Sequence, residues 1–73
     1  MERVLVAGAS GQLGRHVVDE LRRRGYRVRA LSRRPGRLAG RADEPVRGDL
    51  LDAASLPAAC EGVDVVFSCA GAS

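Results

Sequence analysis

Apolar and polar residues follow two different periods along the first third of the chain. Residues 3–7 (RVLVA) form a short, β-branched apolar run, which is typical of a strand buried on both faces. Gly25 is typical of the left-handed residue that ends a helix. Before it, between residues 12 and 24, apolar positions recur at spacings of four, one and three, which predicts a helix with one apolar face: Leu13, Val17, Val18 and Leu21.

The remaining pattern predicts three more strands and a second helix. In the second strand, Val28 and Ala30 alternate with Arg27 and Arg29. The stretch 32–40 (SRRPGRLAG) is broken by proline and glycine, so we expect a loop with at most one helical turn around residues 37–39. The three strands are expected at residues 26–31, 45–47 and 63–67.

Two residues compete as the cap of the second helix, which is expected to run to about Cys60. With Asp52 as the cap, Pro57 falls in the second turn, where its missing N–H costs a hydrogen bond. With Ser55 as the cap, Pro57 lies in the first turn, where that N–H would be unpaired anyway. The sequence therefore favours Ser55.

The predicted order of elements is β-α-β, a short turn, and a second β-α-β. Strands that alternate with helices pair in parallel and are joined by right-handed crossovers. In such α/β folds, ligands bind beyond the carboxyl ends of the strands. We therefore look for the functional site at that edge of the sheet.

Three glycines, Gly8, Gly11 and Gly14, occupy the junction between the first strand and the first helix. Gly8 tolerates the backbone angles of an abrupt strand-to-helix turn, and Gly14 lets the helix lie close against the strands. Gly11 has no side chain to hold a ligand away from the helix N-terminus, which favours a pyrophosphate, and Ser10 could add a hydroxyl. Inside a βαβ unit this spacing indicates a dinucleotide site. The alternative is a tight packing turn without a ligand.

Arg33 and Arg34 directly follow the second strand, where NAD-binding folds usually carry an acidic residue and NADP-binding folds an arginine. A guanidinium can bind a 2′-phosphate with two hydrogen bonds, whereas a carboxylate would repel it. The next acidic residue along the chain is Asp43. These residues predict NADP(H) as the preferred cofactor and NAD(H) as the alternative. The competing interpretation is an ordinary solvated loop.

Two further loops follow the third and fourth strands and are expected to border the same ligand. In the first, Asp49 could accept a hydrogen bond from the adenine amino group while Leu50 covers the ring. The alternative there is an ordinary turn with Asp49 as a local cap. In the second loop, small residues let the backbone approach the cofactor, and Cys69 is interpreted as a buried thiol because no base is near it in the sequence.

Composition limits the class of protein. Of the 73 residues, 45% are hydrophobic, which argues against disorder, although the chain is short for a self-sufficient core. No secretory signal and no run of about 20 apolar residues is visible, so no membrane partner is expected. Cys60 and Cys69 lack metal-binding spacing and are expected to be free thiols in a reducing, cytoplasmic setting.

The net charge is +3 and every basic residue is an arginine. Clustered basic residues are the electrostatic footprint of nucleic-acid binding, so a basic nucleic-acid-binding module is one hypothesis. Against it, one tyrosine and one phenylalanine offer no stacking platform for single strands. Nucleic acid is therefore not expected as the main partner.

Four motifs together, GASGQLG, LSRR, GDLLD and DVVFSCAGA, resemble the start of an atypical or extended short-chain dehydrogenase/reductase, of the NAD(P)H-binding, NmrA-like and epimerase-like kind. The resemblance covers essentially the whole chain. It implies a Rossmann-type parallel sheet with strand order 3-2-1-4 and flanking helices, which is the first half of a doubly wound fold. The expected cofactor-binding residues, with the backbone acting at positions 12 and 13, are Gly8, Ser10, Gly11, Gln12, Leu13, Gly14, Arg33, Arg34, Asp49, Leu50, Ala70 and Gly71.

The resemblance also bears on activity. In that family the catalytic Tyr-x-x-x-Lys pair lies beyond the fourth strand, whereas this chain has no lysine and its one tyrosine, Tyr26, starts the second strand. We therefore expect residues 1–73 to be the N-terminal part of a single NAD(P)-binding Rossmann domain, without catalytic or metal-binding residues and with an unprotected sheet edge. The parent would be an oxidoreductase or epimerase acting on a small molecule. The alternative is a non-enzymatic, NmrA-like redox sensor that binds the dinucleotide but lacks the Tyr/Lys pair.

Overall fold

Parallel strands form the centre of the molecule. The computed structural model describes residues 2–9, 11–38, 40–49 and 51–69. The strands pair in parallel in the order β3-β2-β1-β4, which confirms the predicted α/β sheet with strand order 3-2-1-4. Their bounds are β1 (Arg3–Ala7), β2 (Arg27–Ser32), β3 (Glu44–Arg47) and β4 (Val65–Ser68).

Helices connect these strands as predicted. Gly25, just beyond the first helix, has φ +91°, the left-handed stop expected from the sequence. No helix within the described ranges has the length and apolar character needed to cross a bilayer. The helical segments are α1 (Gln12–Arg23), a 3-10 turn (Pro35–Leu38), a second 3-10 turn (Ala53–Ser55) and α2 (Leu56–Cys60).

The fourth strand starts two residues later than the apolar run predicts. The N–H of Val63 donates to the carbonyl oxygen of Cys60 at 3.1 Å, so Val63 closes the end of α2 instead of entering the sheet. Asp64 then contacts β1, because its N–H donates to Arg3 O at 2.9 Å and its Oδ2 accepts from the Arg3 N–H at 3.0 Å. The first paired residue is Val65, opposite Val4.

The hydrophobic core lies on both faces of β1 and β2. One cluster includes Val18 of α1 and a second includes Ala59 of α2, so the two helices cover opposite faces of the sheet. Alternate residues of β1 enter the two clusters, and the strand is therefore buried on both faces, as its continuous apolar run predicts. The buried strand residues are Val4, Val6, Val28 and Ala30 on the first face and Leu5, Ala7 and Leu31 on the second.

Arg29 is buried, although the alternation in β2 groups it with the exposed Arg27. Its side chain crosses beneath α2, and the residue is 9% exposed. The Arg29 Nη1 donates to the carbonyl oxygens of Ala59 at 2.8 Å and Glu61 at 2.7 Å. Carbonyl groups at a helix C-terminus lack intrahelical donors, and a cation there is favourable. Arg29 therefore anchors the end of α2 to the sheet.

Glu44 forms ion pairs with arginines of the first two strands. Its carboxylate lies 3.2 Å from Arg3 Nε, 3.0 Å from Arg27 Nε and 3.2 Å from Arg29 Nη2. Burial alone would raise the pKa of Glu44, but hydrogen bonds from Arg27 and Arg29 outweigh this effect and hold the pKa below its ordinary value. Arg3, Arg27 and Glu44 are the first residues of their strands, so this network lies at the amino end of the sheet, opposite the predicted site.

β4 is an exposed edge of the described sheet. It pairs with β1 alone among the described strands. Val65, Val66 and Phe67 are 37%, 52% and 42% exposed, although they are large apolar residues. This is the unprotected edge that the sequence predicts.

Candidate functional site

The carboxyl ends of the strands bring the predicted segments to one edge of the sheet. Ala7 pairs with Leu31 on one side and with Ser68 on the other, and Ser32 pairs with Arg47. Two backbone hydrogen bonds continue this alignment past the strands, from Gly48 N to Ser32 O at 3.0 Å and from Cys69 N to Ala7 O at 2.8 Å. The segments that start at residues 8, 33, 48 and 69 therefore share one edge.

Gly8 makes the sharp turn out of β1. Its φ is +75°, a conformation that residues with a side chain rarely adopt. The Gly8 carbonyl oxygen accepts a hydrogen bond from the Gly11 N–H at 3.2 Å, which closes the turn. Glycine is required here by the backbone itself, as the sequence predicts.

Gly14 is buried in the first turn of α1, directly against the turn that precedes the helix. A Cβ at this position would overlap the Gly8 carbonyl oxygen and would lie 2.7 Å from Ala9 Cα. Real Cβ atoms essentially never approach other atoms so closely. Gly14 therefore allows a close contact between the helix and the turn before it, whereas the spacing predicts one between the helix and the strands.

Gly11 differs from the other two glycines, because neither its conformation nor its packing requires glycine. It is the N-cap of α1, with φ −74° and ψ 170°, angles open to any residue. The nearest protein atom to a Cβ built there is Gly8 O at 3.5 Å, an ordinary contact. A side chain at Gly11 would project from the exposed end of the helix, so the missing side chain leaves room for a ligand.

The N-terminus of α1 is suited to an anion. The Gly11 carbonyl oxygen accepts the first helical hydrogen bond, from Arg15 N at 2.9 Å, and no side-chain hydrogen bond caps the helix in the described part of the chain. The N–H groups of the first turn have no intrahelical acceptor, and the helix dipole adds to their positive potential. Gln12 and Leu13, whose backbone is predicted to bind the diphosphate, are exposed in this turn. The N-terminus of α1 thus fits paired phosphates.

Arg33 and Arg34 leave the end of β2 with exposed side chains. The Arg34 N–H donates to Ser32 Oγ at 3.0 Å, which fixes the backbone of the turn. Within the described residues, neither guanidinium takes part in an ion pair, unlike Arg3, Arg27 and Arg29 at the opposite edge. The carboxyl edge of the sheet therefore carries two arginine charges that no ion pair among the described residues neutralises.

Asp49 serves the local turn that sequence analysis gave as the alternative to an adenine contact. Its Oδ1 accepts from Leu51 N at 2.9 Å, and its own N–H donates to Ser55 Oγ at 3.2 Å. Ser55 is the N-cap residue of α2 with Pro57 in the first turn, as predicted, but its hydroxyl holds this loop instead of capping the helix. Asp52 caps the preceding 3-10 turn by accepting from Ala54 N at 3.2 Å.

Several predicted residues lie outside the described part of the chain: Ser10, Leu50, Ala70 and Gly71. Cys69 is buried and Cys60 is exposed, and both are free. Ser32 and Gly48, which lie in the predicted site motifs but have no predicted ligand contact, shape its backbone. Ser32 Oγ accepts from Arg34 N, and a Cβ at Gly48 would overlap the Leu31 side chain and lie 3.3 Å from Ser55 Oγ. Serine at a strand end before two arginines is the signal that could have indicated the Ser32 turn.

Comparison with known proteins agrees with this geometry. A family profile described as NAD(P)H-binding matches residues 8–73. A sterol-4-alpha-carboxylate 3-dehydrogenase (decarboxylating) of Dictyostelium discoideum is 38% identical over 73 residues, which cover 96% of this chain and 22% of that protein. A (4-alkanoyl-5-oxo-2,5-dihydrofuran-3-yl)methyl phosphate reductase of Streptomyces griseus is 47% identical over 66 residues, 88% of this chain and 23% of the reductase.

The fold also matches solved structures. A Rossmann-fold NAD(P)-binding family protein from Shigella flexneri superposes with a TM-score of 0.77 and 30% identity, over 93% of this chain and 36% of that protein. The chain thus spans less than a quarter of these two curated relatives and about a third of the solved structure. The relatives' names, a dehydrogenase and a reductase, agree with the resemblance to short-chain dehydrogenases/reductases. With a matching profile over nearly its whole length and a Rossmann-type sheet, the chain belongs to the NAD(P)H-binding family, whose cofactor is a nicotinamide dinucleotide.

Proposed function

We propose that this chain binds NADP(H) in preference to NAD(H), as the N-terminal part of a single Rossmann domain in a longer oxidoreductase. The observation that carries the preference is the pair of exposed arginines, Arg33 and Arg34, directly after β2, without ion-pair partners among the described residues. A 2′-phosphate would supply the missing anion. The next acidic residue, Asp43, accepts a hydrogen bond from Val28 N at 2.8 Å, at the amino-terminal half of β2, so it cannot take the ribose role of an acidic residue at the strand end.

The diphosphate would rest on the first turn of α1, in front of Gly11. The N–H groups of Gln12 and Leu13 would donate to its oxygens, and Ser10 would add a hydroxyl. Gly8 and Gly14 would hold the turn and helix in place. The support for this placement is a helix end without a side-chain cap among the described residues, beside a glycine whose backbone angles and packing leave room for a ligand.

The adenosine half would extend toward β2 and β3. Arg33 would bind the 2′-phosphate and lie on the adenine, with Arg34 beside it, and Asp49 and Leu50 would border the ring. One Asp49 oxygen already accepts from Leu51 N, which leaves the second for the adenine amino group. Ala70 and Gly71 would lie along the ribose and diphosphate.

The reaction would be that of the longer protein. The nicotinamide carries hydride chemistry, and the protein around it supplies binding and orientation. Relatives named as a sterol dehydrogenase and a reductase support an oxidoreductase acting on a small molecule. The described residues would contribute cofactor binding and no catalytic group. The free thiols of Cys60 and Cys69 suit a reducing compartment, so we place the protein in the cytoplasm.

The test is a titration of NADPH and NADH against the protein expressed from its complete reading frame. Charge reversal at Arg33 (Arg33→Glu) should weaken NADPH by about 100-fold, because a charged hydrogen bond of about 1.5–3 kcal/mol is lost and a repulsion is added. NADH, which lacks the 2′-phosphate, should change by less than about threefold. Arg24→Glu, the same charge change at the far end of α1, is the matched control. Equal losses for both nucleotides would refute the 2′-phosphate assignment.

A further inference from the structure

One hydroxyl group joins the loop after β3 to the start of α2. Ser55 Oγ accepts a hydrogen bond from the Asp49 N–H at 3.2 Å. The same oxygen lies 3.1 Å from the carbonyl oxygen of Asp49 and 2.8 Å from that of Asp52, and its single proton can be donated to either. Ser55 therefore contacts both backbone polar groups of Asp49, the residue proposed to border the adenine.

The Asp49 carboxylate is half engaged in the same loop. Its Oδ1 accepts from Leu51 N at 2.9 Å, and the Asp49 carbonyl oxygen also accepts from Asp52 N at 2.9 Å. Among the described residues, none donates to Oδ2 and none forms an ion pair with Asp49. The backbone of Asp49 is thus held by its own loop and by Ser55, and one carboxylate oxygen is left for a donor that the ligand supplies.

Ser55 directly precedes α2, and the far end of that helix is anchored to the sheet. The Arg29 Nη1 of β2 donates to the carbonyl oxygens of Ala59 at 2.8 Å and Glu61 at 2.7 Å. Ala59 itself is buried among the core residues beneath α2. The Ser55 hydroxyl therefore has a defined position relative to β2, which a residue that positions another one requires.

On its other side the loop meets the sheet at Gly48. The Gly48 N–H donates to Ser32 O at 3.0 Å, at the carboxyl end of β2. A Cβ at Gly48 would overlap the Leu31 side chain and lie 3.3 Å from Ser55 Oγ, so the backbone passes between these two side chains without room for a third. Asp49, the next residue, is thus fixed between the sheet and α2 by contacts on both sides.

A carboxylate can accept a hydrogen bond from an adenine amino group only where it is held in the right place, because hydrogen bonds weaken steeply with distance and angle. We infer that Ser55 is a positioning residue of the cofactor site, whose hydroxyl sets the Asp49 carboxylate for the adenine amino group. Ser55 acts through Asp49 and touches no ligand itself. This inference rests on the proposed function, in which Asp49 borders the adenine, and gives the serine at the start of α2 a part in choosing the base.

The experiment compares NADPH with its hypoxanthine counterpart, in which an oxygen acceptor replaces the adenine amino donor. In the protein expressed from its complete reading frame, NADPH should bind about 10-fold more tightly, because the counterpart cannot make the hydrogen bond to the charged acceptor. Ser55→Ala should reduce this preference to about threefold or less by weakening NADPH and not the counterpart. Ser55→Thr keeps the hydroxyl and should retain the preference, whereas Asp49→Ala should abolish it.

Two controls separate positioning from a loss of structure. Ala59→Gly removes a buried methyl group from the same helix without altering Ser55, so it should lower the midpoint of urea denaturation and leave the preference for adenine unchanged. In a protein that already carries Asp49→Ala, the additional change Ser55→Ala should not alter the preference, because residues that act as a unit are not additive. Circular dichroism checks that each variant is folded.

Two results at Ser55 would overturn the inference: an unchanged preference in Ser55→Ala, or an equal loss of affinity for both nucleotides, which would indicate a structural role alone. Failure of the proposed function is separate, because it would be seen in the unsubstituted protein. There, binding of neither nucleotide, or equal binding of both, would remove the adenine contact of Asp49 and the inference with it. NADH and its hypoxanthine counterpart carry the same two bases, so they give the same test without the 2′-phosphate.

Discussion

Replacement of Gly14 by alanine adds a single methyl group at the contact between α1 and the turn that precedes it. That methyl would overlap the Gly8 carbonyl oxygen and lie 2.7 Å from Ala9 Cα and 2.9 Å from the Gly8 carbonyl carbon. All three are backbone atoms, so no side chain can rotate away to make room. The helix or the turn has to move instead.

The magnitude follows from two opposing effects. Alanine is favoured over glycine in a helix by about 1 kcal/mol. Overpacking a close contact costs about 1–3 kcal/mol, and a shift of α1 would also loosen Val18, which is 1% exposed and contributes about 1.5–3 kcal/mol by its burial. We expect Gly14→Ala to lower the free energy of unfolding by about 1–3 kcal/mol.

Urea denaturation followed by circular dichroism measures this difference, with Gly11→Ala as the matched control. A Cβ at Gly11 has its nearest neighbour at 3.5 Å, so the same chemical change three residues earlier creates no overlap and should cost only the preference of the N-cap for glycine over alanine, about 0.5–1 kcal/mol. If Gly14→Ala is as stable as the unsubstituted protein, α1 does not pack against the Gly8–Ala9 turn as closely as the structure indicates.

Two further predictions concern the opposite edges of the sheet. Gly11→Val should leave the protein folded but weaken NADPH and NADH alike by more than about 100-fold in a titration, because the side chain would occupy the diphosphate position; retained binding would contradict that placement. Glu44→Gln should lower the free energy of unfolding by about 1 kcal/mol at neutral pH, since it removes a carboxylate that contacts three arginines. Because the pKa of Glu44 is lowered in the folded state, its contribution is present above the ordinary glutamate pKa of about 4.3 and is lost as the pH falls through the lower, folded value. The difference in free energy of unfolding between the unsubstituted protein and Glu44→Gln, measured by urea denaturation, should therefore shrink in acid. A difference that is the same at neutral pH and in acid would exclude this mechanism.

The fold could be predicted from the sequence because its main features are local. The apolar run of β1, the helical spacing of α1 and the left-handed Gly25 each depend on residues close together in the chain. Parallel pairing then follows from the alternation of strands and helices, since right-handed crossovers leave few arrangements. The ends of the strands were harder to predict from the sequence, because a contact such as that of Val63 with the end of α2 depends on the neighbouring element.

The candidate site was predictable in outline but not in its supporting contacts. The positions of Gly8 and Arg33 follow from where the strands end. Burial of Arg29, by contrast, depends on carbonyl groups 30 and 32 residues away, which no local pattern indicates. Ser55 satisfies the expected cap position, yet its hydroxyl binds Asp49 because the loop after β3 folds back over it. Partners that are distant in sequence decide these roles.

The three glycines of the strand–helix junction are required for different reasons, although all three belong to one sequence motif. Gly8 is fixed by its positive φ and Gly14 by backbone atoms that its Cβ would overlap, so both would be needed in a turn that binds nothing. Substitution at either position moves the turn, and a resulting loss of cofactor would not show where the cofactor lies. Gly11 has ordinary backbone angles and free space beside it. It is therefore the position among the three at which loss of binding with unchanged stability can be attributed to the diphosphate itself.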